Sequence, residues 1–299
     1  MRATTSRKRK RRDSYPSSPD GILTLKDGGA KSRRFFSRMR IALGLEYDGA
    51  PFHGWQSQAD RSGVQDALER ALAAIAGART PTVAAGRTDA GVHATLQVAH
   101  FDTDAARPDT AWVRGVNAFL PGSMAVRWAL TIGAEFHARF AATGRHYTYL
   151  LLDRPVRPAL LYQRVGWYHR PLAVEAMRAA AAALLGKHDF SAFRAAECQA
   201  KSPTKTLDRI DIAREDDVIR FDFHADAFLQ HMVRNVVGAL VYVGNGRQAP
   251  SWIAELLESR DRTRGAPTFA ARGLYLTGID YPQHWNLPPT VVPLSIPRC

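Results

Sequence analysis

Between residues 39 and 281 the chain alternates short β-type segments with amphipathic helical segments, and this order constrains the fold more than any other feature. In residues 40–47 every second position on one face is apolar, as in a strand with a buried face. A helix is predicted to begin at a capping Ser62, with Gln65 three residues on as in a capping box, and to end at Gly77. The other segments follow from the same patterns. Strands are predicted at 40–47, 81–85, 95–102, 124–130, 145–152, 207–214, 217–224 and 273–281, and further helices at 108–119, 171–186, 227–243 and 251–258.

Both halves of the chain mix strands with helices, and several strands follow one another with no helix between them. This order predicts an α+β fold with largely antiparallel sheets. The length of 299 residues suits one large domain or two ordinary ones. We predict four segments: a disordered basic extension at 1–38, an N-terminal α/β subdomain at 39–143, a C-terminal α/β subdomain at 144–282 and a Pro-rich tail at 283–299.

The positive charge of the chain lies mostly in its first 38 residues. They hold twelve Lys and Arg against three Asp, and so account for nine of the formal net charge of +13. Whole-chain basicity is therefore only a weak indication that the folded part binds nucleic acid. The segment has no hydrophobic periodicity, which predicts disorder. Because the first strand opens directly at Met39, we expect that Met39 is the true start or that residues 1–38 are dispensable.

Cysteine usage and hydropathy restrict the compartment. The two cysteines, Cys198 and Cys299, are far apart and belong to no CxxC pair, which excludes a disulfide framework and a cysteine zinc site. No apolar run is long enough to span a bilayer, and no apolar segment follows the basic N-terminus as it would in a secretory signal. The sequence therefore predicts a soluble, cytoplasmic protein without membrane association.

Residues 86–94, Gly-Arg-Thr-Asp-Ala-Gly-Val-His-Ala, carry the strongest indication of function. Arg87 and Asp89 stand two residues apart between Gly86 and Gly91, and glycine permits a tight turn whose backbone approaches a ligand. An arginine in such a turn can hold a phosphate or stack on a base, and a carboxylate beside it can act as nucleophile or base. A charged surface turn would show the same pattern, so the interpretation depends on the rest of the chain.

The segment 86–94 resembles the active-site motif of the TruA type of tRNA pseudouridine synthase. Other segments resemble the same family and occur in the same order, so that the resemblance spans about residues 39–282. Two positions depart from it: Ser is expected where Ala141 stands, and Pro near Ala270, which concerns loop shape rather than charged groups. The matching segments are Tyr47–Gln58, Val64–Glu69, Gln97–Phe101, Asn117 with Leu120 and Pro121, Phe136–Phe140, Arg145–Tyr149, His188–Phe193, Phe228–Asn235 and Gly273–Leu276.

The resemblance implies two ferredoxin- or RRM-like subdomains that share one mainly antiparallel sheet with a central active-site cleft. It also implies a homodimer. The implied substrate is the anticodon stem–loop of tRNA, at uridines 38 to 40 of the tRNA, and the implied product is pseudouridine. This isomerisation breaks the N1–C1′ glycosidic bond of uridine and rejoins the base through C5, so it needs no redox change and no cofactor is expected.

The resemblance also assigns the site residues. Asp89 is the expected nucleophile or base, and Arg234 is its expected cationic partner, which keeps the carboxylate ionised. Arg87 is expected to fill the gap left by the flipped base or to hold phosphates. Tyr147 is expected to stack under the uracil, a contact worth about 1–3 kcal/mol. Leu274 is expected to close the pocket from the other side.

A metal site and two other functions are the alternatives to this interpretation. His93 and His100 are close in sequence, but no His-x-Glu or Cys-x-x-Cys motif accompanies them, so no metal is predicted. A non-catalytic RNA-binding module of the same fold is one alternative, and a hydrolase that uses Asp89 and a histidine is the other. A pure RNA-binding module needs no carboxylate facing a polyanion, which favours the isomerase, and a hydrolase predicts metal dependence.

Overall fold

The computed structural model of the chain describes residues 38–294. The strands among these residues form one ten-stranded sheet in which most pairs are antiparallel. The predicted α+β class with a largely antiparallel sheet is therefore confirmed. The disorder predicted for 1–38 concerns residues that, apart from Arg38, lie outside the described part. The strands are β1 Met39–Tyr47, β2 Thr82–Ala84, β3 His93–Thr103, β4 Met124–Ile132, β5 Gly144–Asp153, β6 Gly166–Tyr168, β7 Gly186–Asp189, β8 Thr204–Glu215, β9 Val218–Ala225 and β10 Leu274–Asp280.

The described α-helices follow the predicted ones in number and order. They are α1 Val64–Ala76, α2 Asp109–Asn117, α3 Val174–Ala181, α4 Met232–Gly244 and α5 Trp252–Ser259. None of the helices between residues 38 and 294 is long and apolar enough to cross a bilayer.

Helix α1 shows how the sequence specifies both ends of an element. Leu68 and Leu72 of its apolar stripe are fully buried. The helix ends at Gly77, whose φ of 73° is the left-handed conformation that glycine adopts without strain. The N-terminal cap differs from the prediction, because the cap is Gly63 and the Asp66 carboxylate accepts its backbone N–H at 3.1 Å. The Ser62 hydroxyl instead donates to a carboxylate of the preceding loop, so it is not free to cap.

The strands lie across the sheet in the order β4-β1-β3-β10-β5-β9-β8-β7, while β2 pairs with β3 and β6 pairs with β5. Two of the pairs are parallel, β10 with β3 and β6 with β5. The contact between β3 and β10 is short, with Tyr275 opposite His93 and Leu276 opposite Ala94. On its other side β10 pairs with β5 over its whole length. Strand β10 is therefore the element that joins the two halves of the sheet.

The two halves repeat one order of elements. The first half runs β1-α1-β2-β3-α2-β4, and its strands lie in the order β4-β1-β3-β2. The second half runs β5-α3-β8-β9-α4-β10, with β6, β7 and α5 as additions, and its strands lie in the order β10-β5-β9-β8. Each half therefore places its first strand between its fourth and its third.

Helix α4 lies in the core of the second half. It is apolar around most of its circumference, and Val237, Ala239 and Leu240 are fully buried. A helix with this pattern belongs inside a domain, where each buried Val or Leu contributes about 1.5–3 kcal/mol. Arg234 is the charged residue of this helix, and the buried neighbours fix its position.

Four elements differ from the sequence prediction: helices α3 and α4 and strands β6 and β7. Helix α4 begins at Met232 rather than at residue 227, because His231 has a left-handed φ of 63° that a helix cannot extend through. The helix predicted for 171–186 is shorter, since α3 is followed by a 3₁₀ turn that ends at Leu184. Strands β6 and β7 have three and four residues, too few to show a hydrophobic period.

Part of the predicted Pro-rich tail packs on the sheet. Gln283–Trp285 forms a 3₁₀ turn, and Val291 forms a β-bridge with Gly278. The Thr95 hydroxyl donates to the carbonyl of Val292 at 2.6 Å. The described part of the tail therefore contacts β3 and β10, whereas residues 295–299 lie outside the described part.

Candidate active site

The turn that carries Arg87 and Asp89 connects β2 to β3. The turn is held by hydrogen bonds to neighbouring segments. The N–H of Trp55 donates to the carbonyl of Thr88 at 2.9 Å, and the hydroxyls of Tyr47 and Thr88 are 2.9 Å apart. Burial raises the pKa of Tyr47 to about 12, so its hydroxyl stays neutral and hydrogen-bonding at physiological pH. The turn is thus a supported feature of the fold and not a free surface loop.

Two glycines permit this arrangement. Gly91 has a φ of 77°, in the left-handed region that glycine adopts without strain. Gly54 has a φ of 86°, and a Cβ at that position would lie 2.8 Å from the carbonyl oxygen of Thr88. The loop that follows β1 therefore approaches the turn at backbone distance. Gly86, by contrast, has open space beside it and no unusual φ, so its role in the turn is less strict than predicted.

Helix α4 brings a cation to the Asp89 carboxylate. The Arg234 Nη1 donates to Asp89 Oδ2 at 2.9 Å, and its Nε donates to the carbonyl of Phe269 at 2.9 Å. The two side chains are 16% and 24% exposed, so the ion pair is largely shielded from water while one side of the carboxylate stays open. A guanidinium held by two bonds has a fixed orientation, so it also fixes the position of the carboxylate oxygen that it contacts.

His231 is a second nitrogen-bearing side chain at this carboxylate. Its Nε2 lies 3.5 Å from Asp89 Oδ2. The left-handed backbone of His231, directly before α4, turns its side chain toward the cleft. Sequence reasoning missed this residue, although it stands three positions before Arg234, the spacing that places two side chains on one side of a helix start.

Tyr147 and Leu274 line the same cleft from the adjacent strands β5 and β10. Tyr147 is 9% exposed, and its ring meets that of Phe228 edge to face with 5.1 Å between the centroids. Burial raises the pKa of Tyr147, so its phenol is neutral. Leu274 is buried and is the first residue of β10. Together they form an apolar wall with one aromatic face, which suits a planar base.

Arg145 ties the segments around the cleft together. Its guanidinium donates to the carbonyls of Ala85 and Arg139 at 3.2 and 3.1 Å, and to those of Asp226 and Ala142 at 2.8 and 3.2 Å. Four carbonyls from different parts of the chain use most of its donors. The Arg145 side chain therefore holds the segments around the cleft in position. Its place in a sequence motif did not indicate this role.

The five predicted site residues line one cleft of about 1000 Å³. They are Arg87, Asp89, Tyr147, Arg234 and Leu274. Arg87 is exposed, and Asp89, two residues further along the turn, contacts Arg234. A cleft of this size, with a few convergent polar groups on an apolar wall, can hold a nucleotide and its neighbours.

His93 and His100, the two histidines considered as metal ligands, lie outside this cleft. His93 is buried and accepts the backbone N–H of Gly49 at 3.1 Å. His100 is buried as well and accepts the N–H of Ala138 at 3.1 Å. Burial lowers the pKa of His100 to about 4, so this ring is neutral at physiological pH. Each ring therefore accepts a backbone N–H from the first half of the chain.

Comparison with known proteins supports one family. The family described as tRNA pseudouridine synthase matches residues 45–141 and 180–282. The chain is similar to tRNA pseudouridine synthase A of Chromobacterium violaceum, with 63% identity over 251 residues, 84% of this chain and 96% of that protein. The same enzyme of Dechloromonas aromatica is 60% identical over 84% of this chain and 95% of that protein. That of Methylobacillus flagellatus is 57% identical over 86% of this chain and 99% of that protein.

The family match includes the turn at 86–94, helix α4 and strand β10, which line the cleft. The resemblance inferred from the sequence motifs is confirmed. The chain belongs to the tRNA pseudouridine synthase family, and it is an isomerase that acts on tRNA.

Proposed function

We propose that the chain converts uridine to pseudouridine in the anticodon stem–loop of tRNA, at positions 38 to 40 of the tRNA, with Asp89 as the nucleophile or base. The observation that carries the proposal is the contact of 2.9 Å between Asp89 and Arg234 inside a cleft that is open to solvent. It joins a carboxylate from the first half of the chain to a cation from the second. An isomerase of this class needs such a charged carboxylate beside the sugar and base.

The chemistry requires little beyond these groups. The N1–C1′ bond of the uridine breaks, the uracil turns while it stays in the cleft, and C5 forms the new bond to C1′. The proton on C5 then leaves to solvent and N1 gains one, so no electrons are exchanged with a cofactor. Asp89 acts at C1′, at C6 or on a ribose proton, and Arg234 holds its carboxylate in place.

The walls of the cleft hold the base. Tyr147 stacks on one face of the uracil and Leu274 closes the other side, which restrains the detached base without hydrogen bonds that would prevent its rotation. Extraction of the base from its stack costs a few kcal/mol. Arg87, exposed beside Asp89, is placed to fill the gap in the RNA or to hold the flanking phosphates.

The proposal includes two ferredoxin-like subdomains at 39–143 and 144–282. Its support is the repeated β-α-β-β-α-β order, with the fourth, first, third and second strands adjacent in each half. A homodimer in the cytoplasm is proposed from the resemblance, and the free thiol of Cys198 fits a reducing compartment. Light scattering of the purified protein tests the dimer.

Release of tritium from tRNA with C5-labelled uridine tests the proposed reaction. We expect release at the anticodon positions, equal with and without a chelator, and none from tRNA that lacks uridine there. Binding of tRNA without release would favour an RNA-binding module. Release of free uracil that stops when a chelator is added would favour a hydrolase.

Tyr147→Phe is expected to keep most of the activity, and Tyr147→Ala to lose about tenfold or more, since the aromatic face supplies the contact and the neutral hydroxyl does not. Single-turnover rates on anticodon stem–loop RNA measure both variants. Thermal unfolding of the two proteins separates loss of the stack from loss of packing against Phe228. Equal damage by Phe and Ala would show that the hydroxyl takes part.

A further inference from the structure

A second cluster of polar side chains lies away from the cleft, on three neighbouring strands. It consists of His146 on β5, His224 on β9 and Asp280 on β10. His146 and His224 are directly opposite each other in the antiparallel register, and their rings stack with 4.4 Å between the centroids. Side chains alternate along a strand, so His146 lies on the face of the sheet opposite Tyr147.

Both imidazoles point the same ring atom at one carboxylate. His146 Nε2 lies 2.9 Å from Asp280 Oδ1, and His224 Nε2 lies 2.7 Å from Asp280 Oδ2. The three candidate ligand atoms are all within 4.8 Å of one another. Two ligand atoms of a tetrahedral zinc ion, each about 2 Å from the metal, are about 3.3 Å apart. Small side-chain movements would therefore admit an ion.

The surroundings resemble those of a metal ligand set. The other ring nitrogen of His224, Nδ1, lies 3.4 Å from Asp208 Oδ2. Metal-binding histidines commonly donate their second N–H to a carboxylate, which fixes the tautomer that leaves Nε2 free for the metal. The three ligand side chains are 20%, 26% and 35% exposed, so an ion can reach them from solvent.

Gly144 leaves room for the cluster. A Cβ at this position would contact the carboxylate of Asp280 and would lie 2.5 Å from His224 Nε2. Gly144 has no left-handed φ, so backbone conformation does not demand a glycine there. The missing side chain instead keeps open the space beside the ligand atoms.

We propose that His146, His224 and Asp280 bind one Zn²⁺ ion through the two Nε2 atoms and a carboxylate oxygen, with water as the remaining ligand. Two imidazoles and a carboxylate suit zinc better than magnesium, which prefers oxygen ligands. The ion ties β5, β9 and β10 together on the far side of the sheet from Asp89. Its effect is on the stability of the second half of the chain, and the reaction in the cleft does not use it.

Isothermal titration of the full-length, untagged protein after chelator treatment tests the proposal. We expect one zinc ion per chain with micromolar or tighter affinity, no heat with Mg²⁺, and a Tm increase of about 5 °C at zinc well above Kd. The doubly substituted protein with His146→Gln and His224→Gln is expected to lose this binding. His284→Gln removes an exposed histidine outside the cluster and serves as the matched control.

Gly144→Ala provides a second variant that keeps all three ligands. The added methyl group competes with the ion for space, so we expect zinc affinity to fall about tenfold or more while tRNA isomerisation is retained. This variant also serves if the double variant does not fold. Absence of zinc binding by the wild-type protein, or wild-type zinc affinity in the Gly144 variant or in the double histidine variant, would overturn the proposal.

Discussion

Asp89→Asn is expected to lower the rate of pseudouridine formation by about three orders of magnitude or more while tRNA affinity stays within a few-fold. The carboxylate is the group placed to attack or to take a proton in the cleft, and an amide can do neither. The negative charge of the Asp89 carboxylate contributes nothing favourable to the binding of a polyanion. Single-turnover rates and filter binding, measured on the same anticodon stem–loop RNA, separate the two effects.

The Asn side chain keeps the size of Asp89 and can still accept a bond from Arg234, so the fold is expected to remain intact. Asp104→Asn is the matched control, because it removes an exposed carboxylate outside the cleft and is expected to leave the rate unchanged. Normal turnover by the Asp89 variant would remove this residue from the mechanism.

Arg234→Ala is expected to reduce the rate by about 100-fold or more, because the carboxylate loses the donor that orients it and stabilises its charge. The same change leaves the carbonyl of Phe269 without its partner, which we expect to cost about 1–3 kcal/mol of unfolding free energy. Arg234→Lys keeps the charge but cannot make both bonds in a fixed plane. Its rate is expected to fall between those of the wild type and the Ala variant.

Arg220→Ala is the control for the loss of a half-buried arginine. This side chain also bonds a carboxylate and a carbonyl, those of Asp222 and Leu294, but it lies outside the cleft. We expect the Arg220→Ala variant to have a lower Tm without a comparable loss of rate.

If Arg234→Lys were as fast as the wild type, charge alone would explain the role of Arg234 and the orienting bonds would be unnecessary.

The sequence predicted the elements whose patterns are long. Strands β1 and β9 show a period of two, and helix α1 shows a helical stripe that ends at a glycine. Local features that depend on a single backbone angle were not predictable. The left-handed His231 removes five residues from the start of the helix, and nothing in its neighbours marks that angle.

The same difference between what the sequence predicts and what local backbone geometry decides applies to the candidate site. The resemblance predicted Asp89 and Arg234 as site residues, and the fold places these two side chains in contact. The contact of His231 with Asp89 and the four carbonyls around Arg145 result from loops that no periodicity describes. The His146, His224 and Asp280 cluster was equally invisible, because strand register across β5, β9 and β10 brings together residues with no sequence spacing in common.

The position of β10 determines when the enzyme can become active during its own synthesis. This strand is the last in the chain among residues 38–294, yet it lies in the middle of the sheet, and the loop before it supplies the carbonyl that orients Arg234. Asp89 and Arg234 are 145 residues apart in the chain, a separation that makes the contact slow to form. While a ribosome still holds residues 274–280 in its exit tunnel, the first half has its carboxylate but no oriented cation. If Asp89 and Arg234 act as proposed, we expect a nascent chain to gain activity on tRNA only after its last described strand has been released and inserted.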